Sequence, residues 1–311
     1  MILGMGKGSG YGKVILFGEH FVVYGLPGIA SAVGLSTDAI VKKAGALTVC
    51  DERAGTEGYS AAKKEHQRES FERMFDMMNL EEKGFDIWLG GALPVMSGIG
   101  ASAASSVAIA RAVSDELGLG YDDARINSTA YEMEKAFAGN PSGIDNTVAT
   151  YGGLIWFKKN MAGGANDLEP IKIPRPVEIV MGNSGVVADT KAMVAGVAER
   201  RAHEPEKYDA LFKAYAALVV KARAALEAGD LCAVGAFMDE NHALLQKVGT
   251  SGVKLDELVA LARANGAFGA KVTGGGGGGC MVALTPGKDL QERVADAMEA
   301  KGFRVLRTTI G

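Results

Sequence analysis

The stretch "VTGGGGGGCMVAL", Val272 to Leu284, sets six consecutive glycines between two short apolar runs. Glycine loses more backbone freedom on folding than any other residue, so six in a row inside a folded region carry a cost. Ala270–Val272 and Met281–Leu284 both read as strands, which makes the glycines a loop joining two strands and not a linker between domains. Working outward, Leu255–Asn265 and Leu290–Lys301 read as helices on either side, with a last strand at Val305–Thr309. Before them come a strand at Val177–Met181 and helices at about Lys191–Arg201, Pro205–Ala228 and Asp230–Val248. The proline- and glycine-bearing stretch Met161–Pro176 is the best boundary, dividing the chain into 1–165 and 166–311.

The first half mixes elements in the same way. Val14–Phe17, Ala39–Val49, Phe85–Leu89 and "GGLIWF" read as strands. Lys63–Asn79 is a charged helix with an apolar stripe of Phe71, Met74, Phe75 and Met78. Ala103–Leu117 is a second helix, stopped by Gly118, and Asp122–Ala138 a third, with Ile126, Ala130, Met133 and Phe137 at helical spacing. Strands and helices without strict βαβ alternation make the fold class α+β.

Composition excludes several classes. With 48% hydrophobic and 23% charged residues and a net charge of -4, the 311-residue chain has no global pull toward nucleic acid or anionic membrane. No apolar run approaches the ~18 residues that span a bilayer, and the N-terminus is a poor signal peptide. Cys50, Cys232 and Cys280 are far apart and form no CxxC pair, which suggests reduced, buried thiols of a cytoplasmic protein. Four histidines without zinc-ligand spacing argue against a transition-metal enzyme.

Two further glycine-rich stretches carry the chemistry. In "GSGYGKVILFGEHFVVYG", Lys13 follows Gly12 as in a P-loop, but Lys7 and Val14 break the Walker pattern. By itself Lys13 reads as a solvated lysine at a strand edge, although "GEH" places Glu19 and His20 just beyond an apolar strand. In "PVMSGIGASAASSVAIARA", a glycine-serine turn opens a helix with small residues, a good anion site. Gly98-x-Gly100-x-x-Ala103 also fits the loose dinucleotide fingerprint, so an NAD(P)-linked oxidoreductase is a rival reading. The acidic candidates are Glu134 and Asp145. Asp145 lies three residues after Ser142 and reads equally as the end of a capping box. Glu134, one past Met133, is either a snorkelling surface acid or a hard-cation ligand.

Together "GKVILFGEHFVVYG", "PVMSGIGASAASS" and "KVTGGGGGGCMVAL" resemble the GHMP kinase superfamily of small-molecule kinases. Within it, "GEHFVVYG", "GNPSGIDN" and "GNSGVVADTKAMVAGV" resemble the mevalonate kinase family. The resemblance runs from about Gly12 to Gly279. It implies a two-domain α+β fold, with an N-terminal α/β domain of the ribosomal-protein type and a C-terminal ferredoxin-like α+β domain. It also implies ATP and mevalonate as substrates, Mg²⁺ as cofactor, a cytoplasmic enzyme and a homodimer, with substrate between the domains. The resemblance makes Asp145 the base for the 5-hydroxyl of (R)-mevalonate and Lys13 its neighbour. Pro94, Ser97, Gly98, Ile99, Gly100, Ala101, Ser102, Ala103, Ser105 and Ser106 become the ATP phosphate loop. Ser102 and Glu134 become Mg²⁺ ligands, and Glu19, His20, Thr190 and Gly276 substrate-side residues. The sequence departs from the family at three places: Gly10-Tyr11 for Ala-Pro, Ala101-Ser102 for Ser-Ser, and Gly275 for alanine. Because relatives carry alanine there, Gly275→Ala is expected to be the mildest substitution in the loop.

Overall fold

The computed structural model describes residues 4–55, 63–81, 83–96, 98–187 and 189–311. Contacts divide it into two compact units that interleave along the chain: Met1–Lys13, Gly34–Met96 and Gly100–Gly152 in one, and Val14–Val33, Ser97–Ile99 and Gly153–Gly311 in the other. Strands β1 (Gly6–Phe17) and β2 (Gly28–Lys43) each pass from one unit into the other.

In the first unit, the end of β2 pairs antiparallel with β4 (Phe85–Gly90), and β3 (Thr48–Asp51) lies parallel to β4 on its other side. The expected single strand over Ala39–Val49 is thus two strands on opposite sides of β4, one antiparallel and one parallel to it, because the chain turns at 44–47 through Gly45. Helix α1 (Lys64–Met77) presents Phe71, Met74 and Phe75, with Met78 just beyond it, to the sheet residues Val41, Phe85 and Ile87. Helices α2 (Ala101–Glu116) and α3 (Asp123–Ala138) complete that core with Ala108, Ile109, Ala112 and Met133. Asp122 caps α3 by accepting from the Arg125 N–H, satisfying one of the free donors of the first turn. A fourth helix, α4 (Ile144–Tyr151), stands where a capping box reading of Ser142 and Asp145 implies a short helix.

The glycines of β1 have a specific use. A Cβ at Gly6, Gly8 or Gly10 would stand 2.1, 2.3 or 2.2 Å from the carbonyl oxygens of Ala112, Ala108 and Ala104. Alternate strand residues therefore match successive turns of α2, and the helix backbone lies directly on the strand. This close seat holds the first turn of α2 in register with Lys13.

In the second unit, β10 (Arg304–Ile310), β7 (Val177–Asn183), β9 (Cys280–Leu284) and β8 (Gly269–Val272) form an antiparallel sheet in that order. Helices α5 (Thr190–His203), α6 (Pro205–Ala228), α7 (Leu231–Val248), α8 (Val253–Ala264) and α9 (Lys288–Glu299) belong to the same unit. The beginning of β2 pairs with β5 (Leu154–Lys158), which pairs in turn with β6 (Asp167–Pro170). Phe21 stacks on Tyr215 of α6 at 3.9 Å, and the Tyr215 hydroxyl donates to Pro27 O at 2.7 Å.

Among the described residues no helix is long and apolar enough to cross a membrane. The cysteines are free, but only Cys280 is buried; Cys50 and Cys232 are exposed, contrary to the expectation that all three were core thiols. Cys50 lies on the short strand β3, which borders the sheet beside β4 alone, and Cys232 opens α7, where its thiol meets water.

Candidate active site

The first unit brings Lys13, Asp145, Ser102 and Glu134 into one neighbourhood. Gly100 stands before α2 with φ of +72°, and a Cβ there would lie 2.5 Å from Cγ of Lys13, so the bare glycine leaves room for the lysine stem. Lys13 is 2% exposed, which overturns its reading as a solvated edge lysine. Its Nζ lies 3.1 Å from Asp145 Oδ1. Asp145 sits in the first turn of α4, where unpaired N–H groups and the helix dipole favour a carboxylate. The capping box does not form: Gly143, with φ of +92°, is the cap residue, and Ser142 Oγ accepts from the Ile144 N–H at 3.3 Å. The Asp145 side chain keeps 36% exposure, so a proton donor can approach it.

Glu134 is 4% exposed on the inner face of α3, so the snorkelling alternative fails. Its carboxyl accepts from Ser102 Oγ at 3.0 Å and from Ser106 Oγ at 3.2 Å. Burial first, and the nearby charge of Asp145 second, push its pKa up to about 8 against the pull of both serines and Lys13. Two hydroxyls hold this acid and no ion pair joins it among the described residues, so a cation arriving there would find hard oxygen donors.

Among the expected phosphate-loop residues, Ser97 lies outside the described residues. Ala101, Ser102 and Ala103 form the first turn of α2, whose N–H groups have no intrahelical partners. Ser105 donates to Ala101 O at 2.7 Å and Ser106 to Glu134, so these two hydroxyls are engaged within the protein. Pro94 is half-buried and Ile99 buried. A cavity of about 260 Å³ opens beside Ala101, Ser102 and Ser105, floored by Val49 and Phe71. Among the described residues no group of three or more His, Cys, Asp or Glu side chains converges as a metal site.

In the second unit, Gly98 packs on the end of the glycine loop: a Cβ there would meet Cys280 N at 2.9 Å. Gly274, Gly276, Gly277 and Gly279 all have left-handed φ. Gly276 is the tightest, its missing Cβ lying 1.9 Å from Thr250 O. His20 Nε2 donates to Gly275 O at 2.8 Å, while its Nδ1 is buried without a hydrogen-bond partner. Burial lowers the His20 pKa, with Arg200 adding to the fall and the Gly275 bond opposing it. Glu19 differs from an open substrate-side acid: its side chain is 0% exposed and ion-paired with Lys271, which is equally buried. Thr190 opens α5, and its hydroxyl would lie 2.8 Å from a Cβ on Gly275. Sequence reading missed Lys271; its one signal was a lysine inside a short apolar strand, "AKV".

The loop geometry supports one graded expectation. Gly275 lacks a left-handed φ and its nearest obstacle would be the Thr190 side chain, whereas Gly277 has φ of +69° and Gly278 would meet Val186 O at 2.8 Å. Gly275→Ala is expected to cost the least stability, with Gly277→Ala about 1–2 kcal/mol worse in denaturant melts. Equal losses would contradict this account of the loop.

The turn at Gly98–Gly100 leads into α2, but among the described residues only an isolated bridge at Val95 lies between β4 and that turn, and α2 is followed by the helix α3 and not by a strand. A dinucleotide site needs a βαβ unit there. What the first unit does assemble is a buried lysine on a partly exposed carboxylate, beside a helix N-terminus and a serine-held acid, without a P-loop. The chain belongs to the GHMP kinases: the family's N-terminal domain matches residues 64–153 and its C-terminal domain residues 222–304. It is 38% identical to a mevalonate kinase of Pyrococcus horikoshii, over 93% of this chain and 91% of that protein. A Pyrococcus abyssi mevalonate kinase is 36% identical over 96% and 93%. The crystal structure of L. major mevalonate kinase in complex with R-mevalonate superposes with a TM-score of 0.90 at 35% identity, covering 98% of this chain and 95% of that one.

Proposed function

We propose that this kinase transfers the γ-phosphoryl group of ATP to the 5-hydroxyl of (R)-mevalonate, forming 5-phosphomevalonate on the route to isoprenoids. The observation that carries the reading is the Lys13–Asp145 pair at 3.1 Å, with the carboxylate still open to solvent. The similarity to relatives named mevalonate kinase supplies the substrate.

Asp145 takes the proton of the attacking hydroxyl, and Lys13 stabilises the charge that develops beside it. The free N–H groups at the start of α2 cradle the phosphates, and the adjoining cavity receives the rest of the nucleotide. Ser102 Oγ and the Glu134 carboxylate fit Mg²⁺, which would supply charge neutralisation on the phosphate oxygens. The resemblance to mevalonate kinases also makes His20, Thr190 and Gly276 substrate-side residues: the buried Nδ1 of His20 has no hydrogen-bond partner and can accept from a hydroxyl, and Thr190 and Gly276 belong to the same glycine-loop surface. The proposed domains are 1–165, with the phosphate loop, and 166–311, with the glycine-rich motif. Release of ADP tests the assignment: mevalonate is expected to support it, and phosphomevalonate, galactose and homoserine are not. Faster turnover of any of those three would make the substrate assignment wrong.

A further inference from the structure

Lys271 lies in the middle of a fully buried strand and has no place in the mechanism above. Its ammonium contacts Glu19 Oε1, donates to Val272 O at 2.6 Å and lies 3.5 Å from Ile15 O. Asn241 Nδ2 donates to the other Glu19 oxygen at 3.4 Å, and Glu19 in turn pushes the Tyr215 phenol well above its usual range, behind the larger effect of burial. Both charged side chains have 0% exposure.

Stability is a poor reason for this pair. Two charges taken out of water lose solvation that their mutual attraction barely returns, and apolar replacements of buried ion pairs are often neutral or stabilising. An ammonium with three directional donors does what an apolar side chain cannot: it fixes one carboxylate and two carbonyls around a point. Thr273 doubles the tie, accepting from the Ile15 N–H at 3.1 Å and donating to Ile15 O at 3.0 Å. The ends of β1 and β8 are therefore locked together. From β1 the chain leaves through Glu19 to His20; from β8 it leaves through Thr273 into the glycine loop. His20 Nε2 on Gly275 O closes the ring, and the direction of the buried, unpartnered Nδ1 follows from it.

We propose that Lys271 is a positioning residue for binding of the acceptor alcohol, orienting His20 and Gly275 through a Glu19 that does not itself touch that alcohol. The inference rests on the acceptor role given to His20 above. Lys271→Met and the double variant Lys271→Met/Glu19→Leu separate positioning from mere packing. Melting temperature, the KM for mevalonate, the KM for ATP and the His20 imidazole NMR signals of the unliganded protein are measured for each. The double variant is expected to melt within a few degrees of wild type, with a mevalonate KM raised tenfold or more and an ATP KM changed less than twofold. Lys271→Met, which leaves Glu19 present, is expected to raise the mevalonate KM as well, and the His20 signals are expected to move in both variants. A double variant that fails to fold makes the pair structural and overturns the proposal. So do unmoved His20 signals, or a mevalonate KM within twofold of wild type in either variant. If wild type itself does not turn over mevalonate, the substrate assignment falls, while the His20 signals still decide the positioning role.

Discussion

Asp145→Ala is expected to lower kcat by about 10²–10⁴-fold, the usual share of a general base, while the KM for ATP stays near normal. The expectation follows from placement. The carboxylate is accessible, in the first turn of α4, and 3.1 Å from a lysine that is itself buried. Removing it takes away the proton acceptor but leaves the first turn of α2 and its cavity untouched. A variant that kept more than about a tenth of wild-type turnover would show that Asp145 is not the base, since a base contributes at least about a hundredfold.

Glu134→Gln is expected to raise the Mg²⁺ concentration for half-maximal activity by about 10–100-fold, because the amide keeps an oxygen but loses the charge. A superimposable Mg²⁺ titration would remove Glu134 from the ligand set. The same variant has a signature without metal. The folded protein holds the Glu134 proton up to about pH 8, whereas the unfolded chain releases it near the ordinary value of 4.5. Between those limits the folded state binds the extra proton, so this group makes stability fall as pH rises from about 4.5 toward 8. The substituted amide cannot ionise, and urea melts of the metal-free variant are expected to be flatter across that window. A slope equal to that of wild type would show that the buried acid does not titrate there.

Much of the fold was legible because periodicity reports burial. The stripe Phe71, Met74, Phe75, Met78 and the helical spacing of Ile126, Ala130, Met133 and Phe137 gave α1 and α3 nearly to the residue. The glycine loop was placed between two strands by its apolar flanks, and β8 and β9 stand there. Long-range contacts left no such trace. Lys13 ends a stretch of β1 whose Gly6, Gly8 and Gly10 rest on α2, and no local pattern around it points to Asp145. Glu134 could not be told from a surface acid, since one position on a helix face decides between core and solvent. The Glu19–Lys271 pair was invisible for the same reason that makes it informative: buried charges contradict the apolar pattern around them.

The account stands most directly on acceptor-dependent ADP release by the wild-type enzyme at saturating ATP and Mg²⁺. It predicts turnover with (R)-mevalonate on the order of 1–100 s⁻¹, the usual range for such kinases, and a kcat/KM at least about a hundredfold above that for phosphomevalonate. A chain that released ADP faster with phosphomevalonate, galactose or homoserine, or that released none with mevalonate, would contradict it.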